Sequence, residues 1–174
     1  MRIVAGSVRG RRIEAPAGRD TRPTTDRVRE AIFNSLNSLG VVEGATAIDL
    51  FAGSGALGLE ALSRGVAHVT FVDTDRRARQ AIANNLSQLD LADRATVVSV
   101  DALGYLSSAE PVDLLLCDPP YQFDDWDHLL DAAPAAVVVC ESDREIEPPE
   151  RWRVAKQKRY GTSVVTILTT EPPE

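Results

Sequence analysis

The stretch AIDLFAGSGALGLEALSRG, residues 47–65, decides the fold. Five residues, AIDLF, read as a buried strand. They run straight into Gly53-x-Gly55-x-x-Gly58, and the apolar segment ALGLEALSRG that follows reads as a helix with Gly65 as its C-terminal stop. A strand, a glycine-rich turn and a helix in direct succession open a strand–helix–strand unit. A second strand, VTFVD (69–73), follows at once. Asp75 then caps a helix that runs to Leu89, with Ala78, Ile82, Leu86 and Leu89 along one side. Further apolar runs are ATVVSV (95–100), VDLLLC (112–117) and AVVVC (136–140). Continuous apolar strands that alternate with helices predict an α/β fold, a mostly parallel sheet covered on both faces. The end of the chain departs from that rhythm. WRVAKQKRY and TSVVTILTT, either side of Gly161, predict an antiparallel hairpin.

The glycine pattern alone fits a tight turn as well as a ligand loop. Its context favours a ligand. Asp73 stands twenty positions after Gly53 at a strand tip, where a carboxylate can accept both ribose hydroxyls. Asp101, after the third strand, is suited to an adenine amino group. Ligands of open α/β sheets bind at these strand ends. Asp49 narrows the choice of nucleoside. A carboxylate inside the strand that leads into the loop would repel a pyrophosphate, and it suits a cofactor that carries positive charge. S-adenosylmethionine has a sulfonium, an ammonium and no phosphate, so it is the preferred cofactor.

The second telling stretch is LLLCDPPYQF, residues 114–123. Prolines end the strand and set Asp118 and Tyr121 on either side of a rigid Pro119–Pro120 turn. With DLFAGSGALGLEALSRG, this DPPY turn resembles the class I S-adenosylmethionine-dependent methyltransferases. VRGRRI and RPTTDRVREAIFNSL make the resemblance more specific: the chain is similar to the RsmD family of ribosomal small-subunit methyltransferases. The resemblance implies a Rossmann-like sheet of seven strands with a small N-terminal hairpin-and-helix extension. It also implies methylation of the exocyclic N2 of one guanine in 16S rRNA, on an assembled or nearly assembled small subunit. Cofactor binding then falls to Asp49, Phe51, Gly53, Gly55, Gly58, Asp73, Asp101 and Ala102, with S-adenosylhomocysteine as product. Asp118, Pro119, Pro120 and Tyr121 become the catalytic set. A guanine amine is a poor nucleophile because its lone pair is delocalised into the ring. Asp118 and a carbonyl of the Asp118–Pro119 segment are acceptors for its N–H groups, and the prolines bring no competing N–H. Tyr121 is placed to stack on an exposed base. Phe123 and Trp126 either extend that aromatic wall or belong to the core.

Charge distribution supports a polyanionic partner. The chain carries a net charge of -7, yet residues 1–40 hold eight arginines against four acids. This segment is therefore +4 and the rest is −11. A basic arm on an acidic body fits attachment to nucleic acid. Its helix, RPTTDRVREAIFNSLNSLG, starts at Pro23–Asp26 and puts Val28, Ala31, Ile32 and Leu36 on one face. Arg27 and Arg29 fall on other faces. Arg9, Arg11, Arg12, Arg22, Arg27 and Arg29 are the candidate phosphate contacts, which position RNA without reading its sequence. RWRVAKQKRY, with five basic residues, is either a second RNA contact or an exposed hairpin face.

Two domains are expected: a basic extension over residues 1–40, built from a hairpin and a helix, and a methyltransferase body over 41–174. The start of the chain lacks the apolar region of a signal peptide, and no apolar run reaches membrane-spanning length. A cytoplasmic monomer is the expectation. Cys117 and Cys140 read as buried thiols, and neither His68 nor His128 has metal-ligand spacing with them, so no metal is expected. Two other readings remain: a methyltransferase for another planar amine (DNA adenine or protein glutamine), and a nucleotide- or RNA-binding module without catalysis.

Overall fold

The computed structural model describes residues 1–18 and 24–170. In chain order the elements are α1 (Asp26–Ser38), β1 (Thr46–Leu50), α2 (Ala56–Ser63), β2 (His68–Val72), α3 (Arg76–Gln88) and β3 (Ala95–Val98). Then come α4 (Ala102–Leu106), β4 (Val112–Cys117), α5 (Trp126–Ala132), β5 (Ala135–Ser142), β6 (Arg153–Tyr160) and β7 (Ser163–Thr169). The strands form one seven-stranded sheet in the order β3-β2-β1-β4-β5-β7-β6. Strands β3 to β5 are parallel, and β7 runs antiparallel to both β5 and β6. The expected α/β sheet with an antiparallel C-terminal hairpin is therefore present.

The strands are apolar along their length because alternate residues feed two cores. Ala47, Phe71, Leu114, Leu116 and Val139 face the layer of α1, α2 and α3. Ile48, Leu50, Leu115, Cys117 and Val138 face the layer of α4 and α5. A single-faced sheet would have shown apolar–polar alternation instead. Chain order reverses between β1 and β4, so the C-terminal ends of these neighbours flank the switch-point crevice.

The N-terminal extension carries the expected short hairpin. Its two arms meet in an antiparallel bridge, Arg2 with Arg12, and the Ile3 and Ile13 N–H groups donate to the Arg11 and Met1 carbonyls at 2.9 and 3.0 Å. Beyond Ile3 the next donors turn to α2. The N–H groups of Val4 and Ala5 donate to the buried Glu60 carboxylate, at 2.9 and 3.0 Å. Ile3 and Ile13 join the same apolar cluster as α1 and the sheet. Helix α1 starts where Thr25 caps it, its hydroxyl accepting from the Val28 N–H.

Strand β3 ends two residues earlier than expected. Asp101 caps α4 by accepting the Gly104 N–H, so the chain has already turned. No helix forms between β5 and β6. That connection instead closes the end of α5: the Arg151 guanidinium and the Trp152 indole N–H both donate to the Leu130 carbonyl. Cys117 and Cys140 are buried free thiols in register on adjacent strands. Among the described residues no helix is long and apolar enough to cross a membrane.

Candidate active site

The crevice at the switch point opens into a cavity of about 680 Å³. Strand β1 supplies its floor. Asp49 is buried, and its Oδ2 accepts the Gly58 N–H at 2.9 Å. The chain leaves the strand through Phe51, whose φ of 55° lies in the left-handed region that side chains rarely enter. Gly55 precedes α2 with φ 79°, a value that suits glycine. Gly58 is needed for another reason. A Cβ there would lie 2.4 Å from the Phe71 ring and 2.9 Å from Asp49 Oδ2, so only glycine lets α2 sit this close to the sheet.

Strand β2 brings in Asp73. Its Oδ2 accepts the Gly53 N–H at 2.9 Å and its Oδ1 accepts the Asp75 N–H at 2.8 Å. Both oxygens keep further acceptor capacity toward a ligand. Asp101 comes from the end of β3. From β4 come Asp118 and the Pro119–Pro120 turn, which the Phe123 N–H closes on the Pro120 carbonyl at 2.9 Å. Tyr121 on this turn is 40% exposed. Phe123 stacks edge-on between Phe51 and Trp126, with centroids 5.4 and 5.2 Å away. These contacts brace the turn from below, and both Phe123 and Trp126 pack with the α5-side core.

Asp49, Phe51, Gly53, Asp73, Asp101 and Ala102 therefore line the same cavity as Asp118, Pro119, Pro120 and Tyr121. Gly55 and Gly58 stand behind its wall and shape the loop. Thr24 and Glu141 are among the lining residues that escape the sequence reading. Thr24 reads as part of a helix start. Its hydroxyl instead lies 3.1 Å from Asp118 Oδ2 and 3.0 Å from Glu141 Oε2. Glu141 is buried at the end of β5, where Ser163 of β7 donates to its Oε1 at 3.0 Å. The signal was a lone acid inside the apolar run AVVVCES.

The cavity is rimmed by carboxylates. Burial pushes Asp49 well above the ordinary carboxylate range, the Gly58 N–H offsets part of that, and the charges of Asp118 and Asp73 add to it. A cationic group in the cavity would relieve this repulsion, whereas a pyrophosphate would worsen it. The donor set thus fits a cationic nucleoside.

The arginines divide. Arg9, Arg11, Arg12 and Arg27 are exposed. Arg11 also donates to the Gln88 carbonyl at the end of α3. Arg29 corrects the sequence reading. It is fully buried, donating to the Thr24 and Arg2 carbonyls at 2.6 and 2.5 Å and to Asp26 at 2.7 Å. It is an internal tie of the extension, with no guanidinium surface left for a phosphate. Arg22 lies outside the described residues. In the basic hairpin, Lys156 donates to the Ser35 hydroxyl of α1, while Lys158 and Arg159 are exposed.

A parallel sheet reversing at β1 and β4, extended by an antiparallel hairpin, with an acidic cavity at the reversal, is the architecture of the class I methyltransferases. Within that class the chain belongs to one family, described as "Conserved hypothetical protein 95", which matches residues 1–169. This is the RsmD family that the sequence motifs indicate. The chain is 38% identical to "Ribosomal RNA small subunit methyltransferase D" of Escherichia coli (strain K12), over 98% of this chain and 90% of that one. It is 39% identical to a Bacillus subtilis protein named "Putative rRNA methyltransferase YlbH", over 96% and 97% of the two chains. The solved Escherichia coli structure "Putative methyltransferase yhhF" superposes with a TM-score of 0.85 at 35% identity, covering 97% of both chains.

Proposed function

We propose that this protein methylates the exocyclic N2 of a guanine in 16S rRNA, within the small ribosomal subunit or its assembly intermediate. S-adenosylmethionine is the cofactor, and the protein acts as a cytoplasmic monomer. The observation that carries the reading is the convergence of Asp49 and Asp118, from adjacent strands, on one acidic cavity. Asp49 offers negative charge to a cationic cofactor, and Asp118 offers an acceptor to a planar amine. Support for an rRNA target comes from the names of the relatives and from the exposed Arg9, Arg11, Arg12 and Arg27.

When bound, the cofactor supplies a methyl group already activated by its sulfonium. Asp73 would hold the ribose hydroxyls and Asp101 the adenine edge, with Phe51, Gly53 and Ala102 lining the nucleoside. Asp118 and a carbonyl of the Asp118–Pro119 segment accept N–H bonds from the amine, which localises and aims its lone pair. Tyr121 stacks on the base. The prolines fix these groups beforehand, so the rate rests mainly on orientation. The basic residues 1–40 form the RNA-facing extension of a methyltransferase body at 41–174.

The test offers labelled S-adenosylmethionine with small subunits, naked rRNA, DNA and protein in separate reactions, followed by nucleoside analysis. Label in N2-methylguanosine from the RNA reactions is the expected result. Label in methyladenine of DNA, or in glutamine, would replace this reading with one of its rivals. No transfer to any of the four would leave a binding module.

A further inference from the structure

Thr24 belongs to the N-terminal extension, yet its hydroxyl ends inside the cavity. The residue is only 6% exposed and is held at both ends. Its carbonyl accepts from Arg29 Nη1 at 2.6 Å, which ties it to the buried centre of α1. Its hydroxyl stands between two carboxylates, 3.1 Å from Asp118 Oδ2 and 3.0 Å from Glu141 Oε2. Those carboxylates are neighbours by register. Cys117 of β4 pairs with Cys140 of β5, and Asp118 and Glu141 are the next residues of each strand. Glu141 is itself fixed, because the Ser163 hydroxyl on β7 donates to its other oxygen at 3.0 Å.

An aspartate carboxylate rotates broadly about its last torsion. A carboxylate that must aim an amine lone pair needs a second group to hold its plane. The Pro119–Pro120 turn fixes the Asp118 backbone but does not act on that torsion. We propose that Thr24 and Glu141 are positioning residues for Asp118: the Thr24 hydroxyl, with one hydrogen to give between the two carboxylates, holds the Asp118 carboxylate toward the target amine, and Glu141, anchored by Ser163, sets where that hydroxyl stands. The proposal rests on the methyltransferase reading above. It also makes the basic extension part of the active site, because the segment that carries the exposed arginines delivers the orienting hydroxyl.

The experiment measures kcat, KM and cofactor affinity on small subunits for Thr24→Val, Thr24→Ser, Glu141→Gln and the Thr24→Val/Glu141→Gln double variant. Misplaced acceptors cost rate, so Thr24→Val lowers kcat on the order of ten- to a hundredfold and leaves cofactor affinity unchanged. Thr24→Ser keeps the hydroxyl and restores kcat. Glu141→Gln lowers kcat too, and the double variant loses no more than the worse single one, as expected for residues that act as a unit. Parental kcat in Thr24→Val overturns the proposal, as does equal loss in the valine and serine variants or multiplying losses in the double. Should Thr24→Val not fold, Glu141→Gln decides by itself, and parental kcat there also overturns it. A parent protein that methylates no RNA would sink the underlying reading instead, an outcome distinct from an active parent with insensitive variants.

Discussion

Arg29 and Glu60 face each other across the joint between the N-terminal extension and the body, Nε to Oε2 at 3.8 Å, with neither side chain exposed. Each is also a hub. Arg29 gathers the Arg2 and Thr24 carbonyls, while Glu60 gathers the Val4 and Ala5 N–H groups and the Arg64 guanidinium. Removing one member of a buried pair leaves the other uncompensated and costs about 3–5 kcal/mol. Arg29→Met is therefore expected to lower the urea midpoint strongly. The salt dependence of RNA binding, measured on the variant that remains folded, should not change. A shallower salt slope with an unchanged midpoint would return Arg29 to the phosphate contacts.

The exposed arginines should behave in the opposite way. Arg9, Arg11 and Arg12 sit on the surface of the extension, and only Arg11 among them makes a described side-chain bond, to the Gln88 carbonyl. Replacing all three with glutamine is expected to weaken RNA binding. It should also flatten the plot of log K against log salt by about 2 units, at roughly 0.7 per lost phosphate contact on single-stranded RNA. Stability should hardly move, since surface substitutions of this kind stay within about 0.5 kcal/mol. An unchanged slope in filter-binding or fluorescence titrations would put the RNA on another face.

The sheet and most of the cavity were legible because both are written locally. Continuous apolar runs set the strands, and a strand tip followed by Asp, Gly or Pro marks where a ligand can lie. Helices α4 and α5 did not announce themselves. Residues 102–106 are too short to show a helical period, and 126–132 follow a proline turn whose aromatics hide the pattern. The first hairpin was legible too, but local pattern cannot reveal that Glu60, far along the chain, takes the Val4 and Ala5 N–H groups. The same holds for Arg29, assigned to the surface by helical periodicity and buried by its ties to distant groups. Thr24 reaches Asp118 and Glu141 through contacts that span 94 and 117 positions, which no local motif encodes.

Asp118→Asn tests the division between cofactor and base. The amide has the shape of the carboxylate, but it presents a donor where the amine needs an acceptor. Methyl transfer to small subunits is expected to fall by at least about a hundredfold, the scale of a lost preorganised electrostatic contact. Cofactor affinity by calorimetry should stay near the parental value. Equal loss of binding and transfer would move Asp118 into the cofactor half of the cavity.

Gly58→Ala tests how tightly α2 is docked. The added methyl carbon would lie 2.4 Å from the Phe71 ring and 2.9 Å from Asp49 Oδ2, so the helix must lift or the ring must turn. Overpacking of this kind costs about 1–3 kcal/mol. A lowered melting temperature together with weaker cofactor binding is expected, because the Gly58 N–H that holds Asp49 shifts with the helix. Parental values for both would mean that the loop tolerates a side chain there.

Asp49 carries a pH signature with a definite sign. Its carboxyl lies well above the ordinary value of 3.8, chiefly through burial. From 3.8 upward to the raised value, the folded chain keeps a proton that the unfolded chain has lost. The native state then binds more protons, so this residue's contribution to stability declines as pH rises through that window. Asp49→Asn removes the titration, and chemical denaturation should find its advantage over the parent growing with pH across the same window. A bound cation acts in the other direction, favouring the carboxylate and releasing the proton. Calorimetric titrations of S-adenosylmethionine into the parent protein, at a pH inside that window and in buffers of different ionisation enthalpy, should therefore report net proton release. Asp49→Asn should bind more weakly and release less. Release that is identical in parent and variant would show that Asp49 does not meet the cofactor's positive charge.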